Sequence, residues 1–112
     1  SIGRVPAVEG LGAREIGLSM TDGGNFNVDA DGRTNIPNIF AVGDLTADIM
    51  LVNVGEVEGR HVIETMFGDK DKHLTYDNIS TIMFLIPEVS GVGMNEQTLT
   101  AKNIPYRVAT FA

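Results

Sequence analysis

In the stretch Thr34-Asn35-Ile36-Pro37-Asn38-Ile39-Phe40-Ala41-Val42-Gly43-Asp44, the apolar residues Ile39 to Val42 run without a break between Pro37 and Gly43. A short continuous apolar run between turn residues fits a strand buried on both faces of a parallel sheet. Asp44 then falls just past the C-terminal end of that strand, where open α/β sheets bind their ligands. A carboxylate there accepts hydrogen bonds from ligand hydroxyls. The same carboxylate also fits a cap or brace for a following helix, and spacing alone does not decide between the two.

Downstream, Leu51, Val54, Gly55, Val62 and Met66 return at helical spacing, which predicts a helix from Met50 to about Phe67. Glu56 and Arg60, four apart, form a supporting ion pair on such a helix. Its first N–H groups and positive dipole end would face the same ligand zone as Asp44, although every helix has such an end. Upstream, Asp22-Gly23-Gly24-Asn25 and Asp31-Gly32 flank the alternating segment Phe26-Asn27-Val28, so the region to about Arg33 reads as a small antiparallel ribbon. Ser1 to Pro6 puts Gly3 and Arg4 at a turn, where a backbone could approach a phosphate-bearing ligand or simply reverse direction.

Gly68-Asp69-Lys70-Asp71-Lys72 is polar and turn-rich, and is the expected domain boundary. Beyond it, Ile82 to Ile86 ends at Pro87, Val89 to Met94 is punctuated by glycine, and Tyr106, Val108 and Thr110 alternate as in a half-exposed strand. Asn95 is placed to cap a short helix through about Lys102. Strand, helix and strand make an α/β piece, but an incomplete one, since three elements cannot close a sheet and cover both faces.

The 112 residues carry a formal net charge of −7, which argues against nucleic acid or an anionic membrane as partner, since both need clustered Lys and Arg. No apolar run approaches the roughly 20 residues of a membrane span, and no charged leader precedes one, so a cytoplasmic location is expected. Zero cysteines exclude disulfides, thiolate metal sites and cysteine nucleophiles within these residues. Asp29, Asp31 and Gly32 resemble part of a calcium loop but lack its closing Glu, and His61 and His73 have no partner at ligand spacing, so no metal site is expected. The start on Ser1 and the end on Phe111-Ala112 lead to the expectation of a fragment.

Ile2-Gly3-Arg4-Val5-Pro6, the Thr34–Asp44 run, Met50-Leu51 with Glu56-Val57-Glu58-Gly59, Tyr76, and Pro87-Glu88-Val89 with Val92-Gly93 and Glu96 follow one another in order. Together they resemble the flavoprotein pyridine nucleotide-disulfide oxidoreductases, and among them the dihydrolipoamide dehydrogenases. The resemblance implies an α/β fragment: residues 1–6 at the exit of an NAD-binding domain, 7–68 the C-terminal segment of a Rossmann-like FAD-binding domain, and 69–112 the start of an incomplete α/β dimerisation domain. It further implies that Gly43-Asp44 meets the ribityl chain of FAD. Met50, Leu51, Val52 and Asn53 would approach the pyrimidine end of the flavin through their backbone, and Gly3 would lie near the nicotinamide nucleotide. NAD or NADP would be co-substrate and the parent a homodimer.

The dinucleotide-binding glycine loop and redox cysteine pair would lie before Ser1, and a histidine-glutamate pair after Ala112. The chain alone is therefore expected to be inactive. Val52, Asn53, Val54 and Leu85 depart from the usual Ala, His, Lys and Thr, which leaves mercuric reductase-like, soluble transhydrogenase-like and glutathione reductase-like parents open. The rival reading is a free-standing acidic interaction or dimerisation module without flavin.

Overall fold

The computed structural model describes residues 3–46, 49–68 and 73–111. The described chain falls into two compact units divided between Leu74 and Thr75. Asp69 to Lys72, at the expected boundary, lie outside the described residues.

In the first unit, the expected ribbon forms as two tight reversals. Met20 and Phe26 meet in an antiparallel bridge across a turn at residues 22–24. Arg33 and Phe40 meet in another. The second reversal starts from Asp29, whose Oδ1 accepts from the N–H groups of Asp31 and Arg33 at 2.9 Å each, a side chain mimicking a backbone turn. Gly32 completes it at φ 77°, and its carbonyl accepts from the Ala41 N–H at 2.9 Å. The Arg33 guanidinium lies 4.7 Å from the centroid of the Phe40 ring. Ala13, Phe26 and Ala41 form the buried core here, with Val8, Leu18, Met20, Val28 and Leu45 packed around them.

Ile39 to Val42 therefore do not form the expected parallel strand: of these, only Phe40 makes a bridge, and it is antiparallel. A parallel ladder requires a neighbouring strand reached by a crossover, and no such neighbour exists among the described residues. The chain instead enters a single 3-10 turn, Gly43–Leu45, and then helix α1, Val52–Phe67. The helix matches the periodicity, with Val54 and Val62 buried and the Glu56–Arg60 ion pair on the exposed side. Its buried face also holds two polar side chains, Glu58 and His61. At the C-terminal end the Gly68 N–H donates to the Glu64 carbonyl at 2.7 Å.

The second unit contains an antiparallel hairpin, β1 (Ser80–Met83) and β2 (Val89–Val92), in the register Ser80 opposite Val92 and Met83 opposite Val89. The apolar run Ile82–Ile86 is thus not one strand; β1 stops at Met83 and the chain bends before β2. Helix α2, Glu96–Ala101, starts as expected from Asn95, whose Oδ1 accepts the Thr98 N–H at 2.8 Å. Residues 104–111 make no strand: alternation marks which side chains share a face, but a ladder needs a partner, and the hairpin is the only sheet among the described residues. Both strands are exposed along their length, as are Phe84, Leu85, Ile86 and Phe111. Helix with strand agrees with the α/β fragment expected. No helix among the described residues is long and apolar enough to cross a membrane.

Candidate functional site

Asp44 occupies the middle of the 3-10 turn, and its side chain is 49% exposed, so the carboxylate is open to a ligand. Its surroundings come from three separate parts of the first unit. Arg4, forty positions earlier, donates from Nη1 to Asp44 Oδ2 at 2.7 Å and from Nη2 to the Met50 carbonyl at 3.0 Å. One guanidinium thereby ties the acid to the segment that leads into α1. Both partners of this ion pair are about half exposed, so water screens it and its main effect is geometric. Arg4, Val5, Pro6, Ala7, Asp44, Leu45 and Met50 line a cleft of about 360 Å³.

The turn that carries Asp44 is held from behind. Gly43 sits at φ 69°, a backbone conformation that side chains other than glycine rarely adopt. Its N–H donates to Glu58 Oε2 at 2.6 Å, and its carbonyl accepts from the Thr46 N–H and the Thr46 hydroxyl, each at 3.0 Å. A Cβ on Gly55 of α1 would stand 3.2 Å from the Gly43 Cα, so helix and turn meet backbone to backbone. Asn25, itself buried, donates from Nδ2 to the Asp44 carbonyl at 3.3 Å, and the Phe26 N–H donates to the Leu45 carbonyl at 2.9 Å.

Of the residues singled out from sequence, the structure brings Asp44 and Met50 to one cleft, and Gly43 precedes Asp44 in the turn without lining that cleft. Leu51, Val52 and Asn53 form the entry to α1. Leu51 is its N-cap and gives no side-chain hydrogen bond to the first turn. Gly3, exposed and at φ 102°, adjoins Arg4 but does not line the cleft. His61 is buried and serves structure: its Nε2 lies 2.9 Å from Asp31 Oδ1, joining α1 to the second reversal.

Sequence reasoning missed the contact of Arg4 with Asp44 and the place of Glu58. The second left a trace, because Glu58 falls four residues after Val54 and four before Val62, an acid on the apolar stripe of its helix.

Residues 1–59 match the family described as pyridine nucleotide-disulphide oxidoreductase. The chain belongs to this family. It is 40% identical over 111 residues to the mitochondrial dihydrolipoyl dehydrogenase of Schizosaccharomyces pombe, covering 99% of this chain and 22% of that protein. To the trypanothione reductase of Trypanosoma congolense it is 38% identical over 97 residues, 87% of this chain and 20% of that one. Among solved structures it is similar to LpdA of Mycobacterium tuberculosis, with a TM-score of 0.80 at 28% identity over 91% of this chain and 22% of that one. It is likewise similar to the HOCl-induced flavoprotein disulfide reductase RclA of Escherichia coli, with a TM-score of 0.79 at 26% identity over 91% and 23%. The chain thus spans about a fifth of the length of the relatives it matches. The resemblance read from its motifs is borne out by these relatives.

Proposed function

We propose that these residues supply part of the flavin pocket of an FAD-dependent enzyme that moves electrons between NAD(H) or NADP(H) and a dithiol/disulfide pair, in the manner of a dihydrolipoamide dehydrogenase. The observation that carries this is the Asp44 carboxylate, held by Arg4 in the lining of a cleft, in a chain of this family. An ionised carboxylate is an acceptor only, which suits the hydroxyl donors of a ribityl chain. The first turn of α1 has no side-chain cap from Leu51, and its positive end favours negative charge on a ring edge placed against it by about 0.3–1 kcal/mol. Backbone groups of Met50 to Asn53 serve there, so the departures at Val52 and Asn53 do not remove the fit. Gly3, with no side chain, suits close approach by the nicotinamide nucleotide.

FAD, when bound, would supply the reversible two-electron chemistry; the residues here hold and orient it. None of the 112 residues is cysteine, so the reacting thiols must come from elsewhere. The exposed apolar side chains of the hairpin unit fit a subunit interface, and residues 69–112 are read as the start of a homodimer's interface domain.

Asp44→Ala in the full-length gene product tests the reading. FAD affinity is expected to fall about tenfold, the effect of one hydrogen bond to a charged group. An Asp44→Ala protein that purifies fully flavinated, with unchanged Kd for FAD, refutes it.

A further inference from the structure

We propose that Glu58 is a positioning residue for the flavin site, acting through Gly43 to set the direction of Asp44; the inference rests on the reading of Asp44 given above. Glu58 is 6% exposed, and its Oε2 accepts the Gly43 N–H at 2.6 Å, a short charge-assisted bond across fifteen positions of sequence. A carboxylate is costly to bury, and an acid on the inner face of α1 calls for a reason beyond packing. Gly43 supplies one. Lacking a side chain and lying at φ 69°, it has more alternative backbone wells than any other residue would have there, and a change at Gly43 swings the next side chain, that of Asp44.

The three carbonyls of the turn are each held by another part of the first unit. Thr46 holds the Gly43 carbonyl, Asn25 the Asp44 carbonyl and Phe26 the Leu45 carbonyl. Gly55 stands against the Gly43 Cα and blocks movement toward the helix. The Gly43 N–H is the backbone donor just ahead of Asp44, and Glu58 takes it. Helix α1 thus meets the site twice: its entry segment shares Arg4 with Asp44 through the Met50 carbonyl, and a buried acid nearly two turns into the helix holds the turn behind Asp44.

The test is a double-mutant cycle in the full-length gene product, reading the Kd for FAD added to apoprotein and the position of the bound flavin's visible absorption bands. Glu58→Ala is expected to weaken FAD binding about tenfold and shift the bands, as for loss of one charge-assisted bond. In an Asp44→Ala background the same change is expected to cost less than about twofold, because a residue acting through Asp44 has nothing left to aim. Glu58→Gln, which keeps an acceptor at the same reach, is expected to restore binding.

Equal losses in both backgrounds, or unchanged binding by Glu58→Ala, overturn the assignment of Glu58 while leaving Asp44 in its role. Unchanged binding by Asp44→Ala alone overturns both. Where Glu58→Ala does not fold, Glu58→Met keeps the length and removes the acceptor, and carries the same comparison. If Met also fails to fold, Glu58 holds the fold as a whole and the proposal is overturned.

Discussion

Replacing Gly55 by alanine sets two effects of known sign against each other. Alanine within a helix is favoured over glycine by about 0.5–1 kcal/mol, from the smaller backbone entropy lost on folding. At this position, however, the added Cβ would stand 3.2 Å from the Gly43 Cα and 3.9 Å from its nitrogen. The obstructing atoms are backbone and cannot rotate aside, so helix and turn must part by a few tenths of an ångström. Overpacking of this kind costs about 1–3 kcal/mol, and the net expectation is a destabilisation of about 0–2.5 kcal/mol.

The displacement falls on the residue before Asp44, so FAD affinity should drop, by up to the about tenfold expected for loss of the Asp44 hydrogen bond itself. Gly59→Ala is the matched control: it lies on the same helix, and a Cβ there meets nothing within 4 Å. It should gain about 0.5–1 kcal/mol and leave FAD affinity unchanged. Urea denaturation followed by circular dichroism, with FAD titration of the apoproteins, measures both quantities. If Gly55→Ala behaves like Gly59→Ala, more stable and equally tight for FAD, the close approach of α1 to the Gly43 turn does not set the site.

Other sites separate the fold from the function. Phe26→Ala empties the centre of the small core around Ala13 and Ala41 and should cost about 3–5 kcal/mol in denaturant unfolding. Asn95→Ala removes the bond to the Thr98 N–H and should cost about 1 kcal/mol, seen as faster hydrogen exchange confined to the first turn of α2, with FAD affinity unaffected.

What was legible in the sequence was what is decided locally. The reversals at 22–24 and 29–33 follow from Asp, Gly and Asn, which make turns by themselves. Helix α1 follows from its period, and α2 from Asn95. Strands are not local in this way. The runs at 39–42 and 106–110 have strand patterns yet form no strand among the described residues, because the neighbours that would complete a ladder are not there. The hairpin of β1 and β2 escaped notice because Ile82–Ile86, apolar throughout, gives no sign of where the pairing stops. Asp44 was found because a specific run leads to it. Arg4 and Glu58 were not, since neither contact can be inferred from spacing when the partners lie forty and fifteen positions apart.

The bond between Glu58 and Gly43 also makes chain length between them a determinant of the site. Each residue turns a helix by about 100°, so deleting or inserting one residue between Val52 and Gly55 would rotate Glu58 off the inner face and carry Gly55 away from Gly43. Every side chain named in the pocket would still be present, and the acid would have lost its aim. Single substitutions along the outer face of that segment should be absorbed readily, while a change of one in its length should not.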